Sequence, residues 1–427
     1  MYESPLTGLV LSGGGARAAY QVGVLRAIAR LRRERMGSRA RLSNPFGVIV
    51  GTSAGAINAA ALACHADRFD VAVEGLVRVW QNFRAEQVYR ADSLGVIRSG
   101  AQWLTTLSLG WAIARWRWAR PKSLLDNAPL ALLLKRLVPL ERLPTMLARQ
   151  HLHAVAVTAS QYHSGEHFTF YSAAVPVAPW LRAQRVAVPA PISHAHLMAS
   201  SAIPFIFPAA RIEHGGRSAW YGDGSMRQTA PLSPAIHLGA ERLLVIGVGR
   251  RSELPSEPPA DPGYPQLAQI AGHAMSSIFL DALGVDVERM QRINRTLALL
   301  PESARHDTPL RPLESLVIWP SQRLDDIAAR HLDSLPRPVR TLLRGVGVGD
   351  QRDGTRSAAL ASYLLFEAPF TSELIALGDA DAMARRDEVL QFFAWPGRRR
   401  AAPPAPPPTP EELTRQLLFP KLDLLLP

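Results

Sequence analysis

The sequence predicts an α/β layer fold with a largely parallel central sheet, followed by a mainly helical C-terminal region. Three observations carry this. Over the first 250 residues, short apolar runs of strand length alternate with helical stretches, the order that a parallel sheet requires. Two of those runs end in glycine-containing turns that lead straight into helices. Residues 265–395 then read as mainly helical, with Ala274–Asn294 and Thr371–Phe393 the clearest stretches.

The first strand, Gly8–Leu11, runs into Ser12-Gly13-Gly14-Gly15-Ala16-Arg17. A helix over Arg17–Arg33 follows, with Val24, Leu25, Ile28 and Leu31 at helical spacing. The second strand, Phe46–Val50, ends in Gly51-Thr52-Ser53-Ala54-Gly55 and a small-residue helix, Ala54–Cys64. A serine between glycines at a strand-to-helix turn has its hydroxyl lifted out of the backbone. Gly51 and Gly55 matter sterically, because a Cβ at either flank would clash with the neighbouring strand or helix. Strands His153–Thr158, His167–Tyr171 and Leu243–Val248 follow, with helices Ser193–Ser201 and Ser233–Leu238. Between them, Tyr221-Gly222-Asp223-Gly224-Ser225 offers a carboxylate between glycines. Gly13, Ser53 and Asp223 would all sit at the carboxyl ends of strands, where such sheets gather their functional groups.

Acyl transfer needs a loop of free N–H groups, an activated serine and a base, and these three segments contain one of each. Each is weak alone. A G-x-S-x-G should occur by chance in about one chain in seven of this length. Gly13–Gly15 alone would suit a nucleotide loop, but the acidic residue expected about 20 positions later is missing from a strand end. Glu34 lies within Arg32-Arg33-Glu34-Arg35, a helix terminus. Asp-Gly at 223–224 is also ordinary turn chemistry.

Taken together, the segments resemble the patatin-like phospholipase family, with its glycine-rich oxyanion loop, G-x-S-x-G elbow and D-G-[GA] base motif. Ala199-Ser200-Ser201-Ala202-Ile203-Pro204-Phe205-Ile206-Phe207-Pro208-Ala209 is similar to the family segment that precedes the aspartate. The resemblance spans roughly residues 7–250. It implies a three-layer patatin-like fold and a lipid acyl hydrolase with a Ser–Asp dyad. Ser53 would be the nucleophile and Asp223 the proton acceptor, with Gly13, Gly14, Gly15 and Arg17 at the oxyanion hole and Gly51, Gly55 and Gly224 as motif glycines. No cofactor and no metal is expected. Arg17, in the first turn of its helix, would anchor the loop or add charge near the oxyanion. Two departures bear on substrate and rate: Ala18 stands where the family often has a third glycine, and the base motif reads Asp-Gly-Ser. The dyad poses a physical problem, because free Asp has a pKa of about 3.9, far below that of an alcohol. Burial and a strong oxyanion hole are the two remedies.

Two other functions compete. An α/β-hydrolase esterase would use Asp223 to orient His237 or His273. The elbow at residue 53 lies only two strands into the chain, too early for that fold. A non-catalytic membrane-binding protein would have no use for both Ser53 and Asp223. Transacylation stays open beside hydrolysis. The remaining histidines between elbow and base, His194, His196 and His214, have nothing in the sequence that ties them to Ser53.

The domain reading is a catalytic domain over 7–250, a helical region over 265–395 and a Pro-rich tail over 396–427, with Leu254–Pro262 as linker. A Trp-rich insertion over about 71–147 holds five of the nine tryptophans, at 80, 103, 111, 116 and 118. Ser99–Ala114 is uncharged and flanked by arginines, but shorter than the roughly 20 residues that span a bilayer. Trp103, Leu107, Trp111, Ala114 and Trp118 would form one helical stripe, which either caps the active site or dips into lipid. The net charge of +12 is carried almost wholly by arginine, the lysines being Lys122, Lys135 and Lys421. It reads either as a solvated surface or as attraction to an anionic membrane. No nucleic-acid-binding signature is present. The single cysteine, Cys64, excludes an internal disulfide and fits a reducing compartment. A cleaved leader would remove the oxyanion loop, so the chain is expected to be cytoplasmic or peripheral to a membrane.

Overall fold

The computed structural model describes residues 5–37, 44–90, 123–249, 267–308, 310–345 and 358–395. The stripe Trp103–Trp118, the linker Leu254–Pro262 and the Pro-rich tail lie outside the described residues. Five strands make the parallel core of one sheet: β1 (Thr7–Leu11), β2 (Val48–Thr52), β3 (Ala154–Gln161), β9 (Arg242–Ile246) and β10 (Glu314–Ile318), in the order β10-β9-β1-β2-β3. Beyond β3 the sheet turns antiparallel through β4 (His167–Ala173), then adds β6 (Arg185–Pro189) and β5 (Trp180–Arg182). A hairpin of β7 (Ala210–His214) and β8 (Arg217–Asp223) pairs with the end of β3, placing Asp223 opposite Ala159.

β1 and β2 are buried along their whole length, and mostly apolar, because helices cover both faces of the sheet. Leu9, Leu11 and Ile49 enter one core and Val10, Val48 and Val50 the other. The first core is closed by α1 (Ala19–Met36), α2 (Ala54–Cys64), α3 (Phe69–Gln81), α4 (Ala128–Leu137), α5 (Leu143–Ala148) and α6 (His194–Ser200). The second lies under α7 (Ser233–His237). Trp80, on α3, is buried there and donates its indole N–H to Asn58 Oδ1 at 2.9 Å, so this tryptophan is core.

The C-terminal region is helical but not separate. α8 (Leu267–Ser276), a π-helical turn (Ser277–Asp281) and α9 (Ala282–Leu299) lead through α10 (Glu302–His306) to β10, which joins the sheet beside β9. The helical reading of residues 265–395 missed this strand. Its five residues, of which only Leu316, Val317 and Ile318 are apolar, are too few to show a period, and only pairing along β9 makes them a strand. The chain ends through α11 (Leu324–Arg330), α12 (Arg337–Gly345), α13 (Ala358–Leu364), α14 (Ala368–Ala384) and α15 (Arg386–Phe393).

α1 and α14 cross on paired glycines. A Cβ on Gly23 would lie 2.1 Å from the Ile375 carbonyl oxygen, and one on Gly378 would lie 2.2 Å from that of Tyr20. Backbone cannot yield as a side-chain tip can. Gly378→Val should therefore lower stability by about 3 kcal/mol, as overpacking does, measured by thermal unfolding. Gly284→Ala, in open space on α9, should instead raise it by roughly 0.5–1 kcal/mol. Equal, small effects at both sites would refute the tight crossing.

Candidate active site

Ser53 occupies the turn between β2 and α2 with φ 56° and ψ −130°, a backbone conformation that L-residues rarely adopt. The flanking glycines allow it. A Cβ on Gly55 would lie 2.5 Å from the carbonyl oxygens of both Leu11 and Ser12, and one on Gly51 would lie 2.4 Å from that of Gly55. The elbow is thus pressed against the end of β1. The Ser53 N–H donates to Ser200 Oγ at 2.8 Å, which helps hold the strained turn.

The Ser53 hydroxyl donates to Asp223 Oδ2 at 2.6 Å, across 170 residues of chain. The other carboxylate oxygen, Oδ1, accepts the Ser225 N–H at 2.9 Å. Asp223 is fully buried at the end of β8, and its own N–H is tied to the Ala202 carbonyl at 3.0 Å. Burial in a low-dielectric site penalises the carboxylate and raises its pKa from 3.8 to about 7, against the opposing bonds from Ser53 and Ser225. The weak-base problem of the sequence is eased in this way. Beneath the pair, Thr52 Oγ1 and Thr158 Oγ1 share a 2.8 Å hydrogen bond and Gln228 Nε2 donates to Thr52 Oγ1 at 2.8 Å. This ties β2, β3 and the segment after Asp223 into one frame. Gly224 packs on it, for a Cβ there would lie 2.3 Å from Thr158 Oγ1.

The Gly13–Gly15 loop runs past the serine. A Cβ on Gly13 would come within 3.1 Å of Ser53 Cβ and 2.4 Å of Ser225 Oγ, so the loop backbone lies against the hydroxyl. Among the described residues, the amides of Gly13, Gly14 and Gly15 have no hydrogen-bond acceptor. They precede a 3₁₀ turn, Gly15–Ala18, and the 18-residue α1, whose dipole places positive charge at this end. Gly15 has φ +56°, and a Cβ there would lie 2.3 Å from the Tyr363 carbonyl oxygen.

Arg17 anchors the loop. Its Nε donates to Ser362 Oγ at 2.8 Å, its guanidinium pairs with Asp325 on α11, and the group lies 4.2 Å over the Tyr363 ring. The guanidinium is engaged with α11 and α13, which fits the anchoring role of the two expected for it.

Among the described residues, no imidazole is hydrogen-bonded to the pair. His237 stacks on Trp180 with ring centroids 4.8 Å apart, donates from Nδ1 to the Ser233 carbonyl and accepts at Nε2 from Arg182. His273 is exposed on α8. His194 meets the Val138 carbonyl, His196 bonds to Ser193 at the start of α6, and His214 faces Phe170. The triad alternative is therefore corrected: both carboxylate oxygens of Asp223 are used by Ser53 and Ser225, and neither meets a histidine. Among the described residues no cluster of three or more His, Cys, Asp or Glu is arranged to hold a metal.

Ser53, Gly15 and Ala54, all buried, are among the residues that line a cavity of ≈ 280 Å³. Its walls are apolar, with Ile57, Leu76, Leu130, Leu134 and Phe207 among them. Such a chamber suits a hydrocarbon chain and excludes water from the serine. Ser200, Ser225 and Tyr363 were missed as supporting residues. The Ala199–Ala209 block and the base motif contained the first two, but nothing in the sequence around Tyr363 pointed to the oxyanion loop.

A patatin-like phospholipase family model matches residues 9–236. Three solved structures are similar. VipD from Legionella pneumophila is 12% identical with a TM-score of 0.33, over 90% of this chain and 67% of its own. Human GIVD cytosolic phospholipase A2 in complex with methyl gamma-linolenyl fluorophosphonate is 13% identical with a TM-score of 0.38, over 91% of this chain and 59% of its own. Full-length ExoU of Pseudomonas aeruginosa, solved with SpcU, is 14% identical with a TM-score of 0.24, over 91% of this chain and 76% of its own. No curated protein matches the sequence.

Proposed function

The chain belongs to the patatin-like phospholipase family, and from that premise we propose that it is a serine lipid acyl hydrolase working through Ser53 and Asp223. The observation that carries this reading is the 2.6 Å bond to a buried carboxylate from the hydroxyl of Ser53, which itself lines an apolar cavity. Ser53 Oγ attacks the ester carbonyl carbon while its proton passes to Asp223 Oδ2. The carbonyl π electrons move onto oxygen, where the amides of Gly13–Gly15 receive the charge. Collapse breaks the C–O bond, and the departing alcohol takes the proton from Asp223. Water then attacks the acyl-Ser53 ester, giving its proton to Asp223, and the fatty acid leaves as Ser53 recovers its proton. An alcohol in place of that water gives transacylation.

Asp223 must be ionised to accept the proton, so reactivity should fall as pH drops through about 7. A fluorophosphonate probe should label wild type at Ser53 with that acid limb. It should not label Ser53→Ala, and should label His237→Ala and His273→Ala normally. Label at another residue, or loss in either histidine variant, would overturn the assignment.

A further inference from the structure

The acyl cavity has an outer end as well as an inner one. Its exposed lining comes from two helices, with Val71 and Arg78 on α3 and Leu137 on α4, beside the half-exposed Gly75 and Leu133. Two apolar side chains of this lining stand in solvent, Val71 46% and Leu137 39% exposed, and Leu132, on α4 but outside the lining, is 68% exposed. An isolated exposed leucine means little, but two at the opening of a lipid-sized chamber, with a third on one of the same helices, make an apolar surface.

The charges at the rim are unbalanced in one direction. The acids of α3 are already engaged: Asp70 lies 3.8 Å from Arg32 and 3.6 Å from Arg33, and Glu74 lies 3.4 Å from Arg33. Asp126, just before α4, lies 3.3 Å from Arg90. Arg78, Lys135 and Arg136 make no ion pair among the described residues. The rim therefore presents apolar side chains among free cations, the combination that meets a bilayer carrying anionic headgroups.

Resting on the hydrolase reading, we propose that this α3–α4 mouth is the surface by which the protein docks on an anionic lipid bilayer. The apolar rim enters the acyl boundary, Arg78, Lys135 and Arg136 meet headgroup phosphates, and an acyl chain passes from the leaflet to Ser53 without crossing water. A hydrocarbon chain that left the bilayer through bulk solvent would expose each of its CH₂ groups to water, which an opening that abuts the membrane avoids.

The test uses the full chain and sedimentation with phosphatidylcholine vesicles, with and without phosphatidylglycerol. Wild type should bind the anionic vesicles preferentially and lose binding with salt. Lys135→Gln with Arg136→Gln should bind them roughly 30-fold less, at about 1 kcal/mol for each cation. Turnover of a short soluble p-nitrophenyl ester should stay within about twofold, since neither residue lines the cavity. Neutralising Arg289 and Arg292 on α9 should leave binding intact. A second measurement uses near-native protein: a polarity-sensitive fluorophore at Leu132→Cys should shift to the blue on anionic vesicles, and one at Leu181→Cys, exposed on β5, should not. Wild-type binding by the Lys135/Arg136 variant, equal loss in the α9 variant, or a silent probe at 132 would overturn the proposal. Ser53→Ala should bind as wild type. Intact binding without turnover in wild type would sink the hydrolase reading alone.

Discussion

Ser53→Ala and Asp223→Asn should each lower ester turnover by several orders of magnitude, on the order of 10⁴-fold or more, and the double variant should be little worse than either. The two groups act on one proton, so removing either removes the same step. Strictly additive losses would show that they serve different steps. Asp223→Asn also carries a stability signature. In the folded chain burial raises this carboxyl from 3.8 to about 7, so between those values the folded state keeps a proton that the unfolded state has released. Stability therefore falls as pH rises through that window and stays at its lower level above it. Asn does not titrate and avoids this cost, which by linkage is on the order of a few kcal/mol. The melting temperature of Asp223→Asn should gain on wild type from pH 4 to pH 8. A gap that does not change with pH would mean that the carboxyl is not raised.

Gly14→Val should cripple turnover by about 100- to 1,000-fold, the loss expected when one oxyanion donor is displaced. A Cβ at Gly14 would lie 2.4 Å from Val248 Cγ2, a stiff side chain buried to 1% exposure, so the loop rather than the valine has to move. The Gly13–Gly15 amides would then be aimed away from the carbonyl oxygen. The loss should fall mainly on kcat rather than KM, because Gly15 is the one residue of the shifted Gly13–Gly15 loop that lines the cavity. Thermal unfolding measured alongside separates a displaced loop from a broken fold. Near-normal kcat in a folded Gly14→Val protein would take the loop out of the mechanism.

What the sequence determined by itself is the part of the site that contiguous residues build. The elbow could be read from Gly51–Gly55, and its helix was placed at Ala54–Cys64 as found, because a tight strand-to-helix turn is a matter of local backbone sterics. The strand into the glycine loop was legible for the same reason, as was the family to which these blocks point. The tertiary structure decided what depends on neighbours from far along the chain. Arg17 had two readings until Asp325, Ser362 and Tyr363 claimed its guanidinium. β10 was invisible until β9 offered it an edge. His237 and His273 were open as partners of Asp223 until the fold put them elsewhere. Asp223 itself could be named from a motif, but its strength as a base could not, because a pKa is set by desolvation and by groups within a few ångströms. Those groups reach it only when β8, the elbow and the Ser225 turn close around one buried carboxylate.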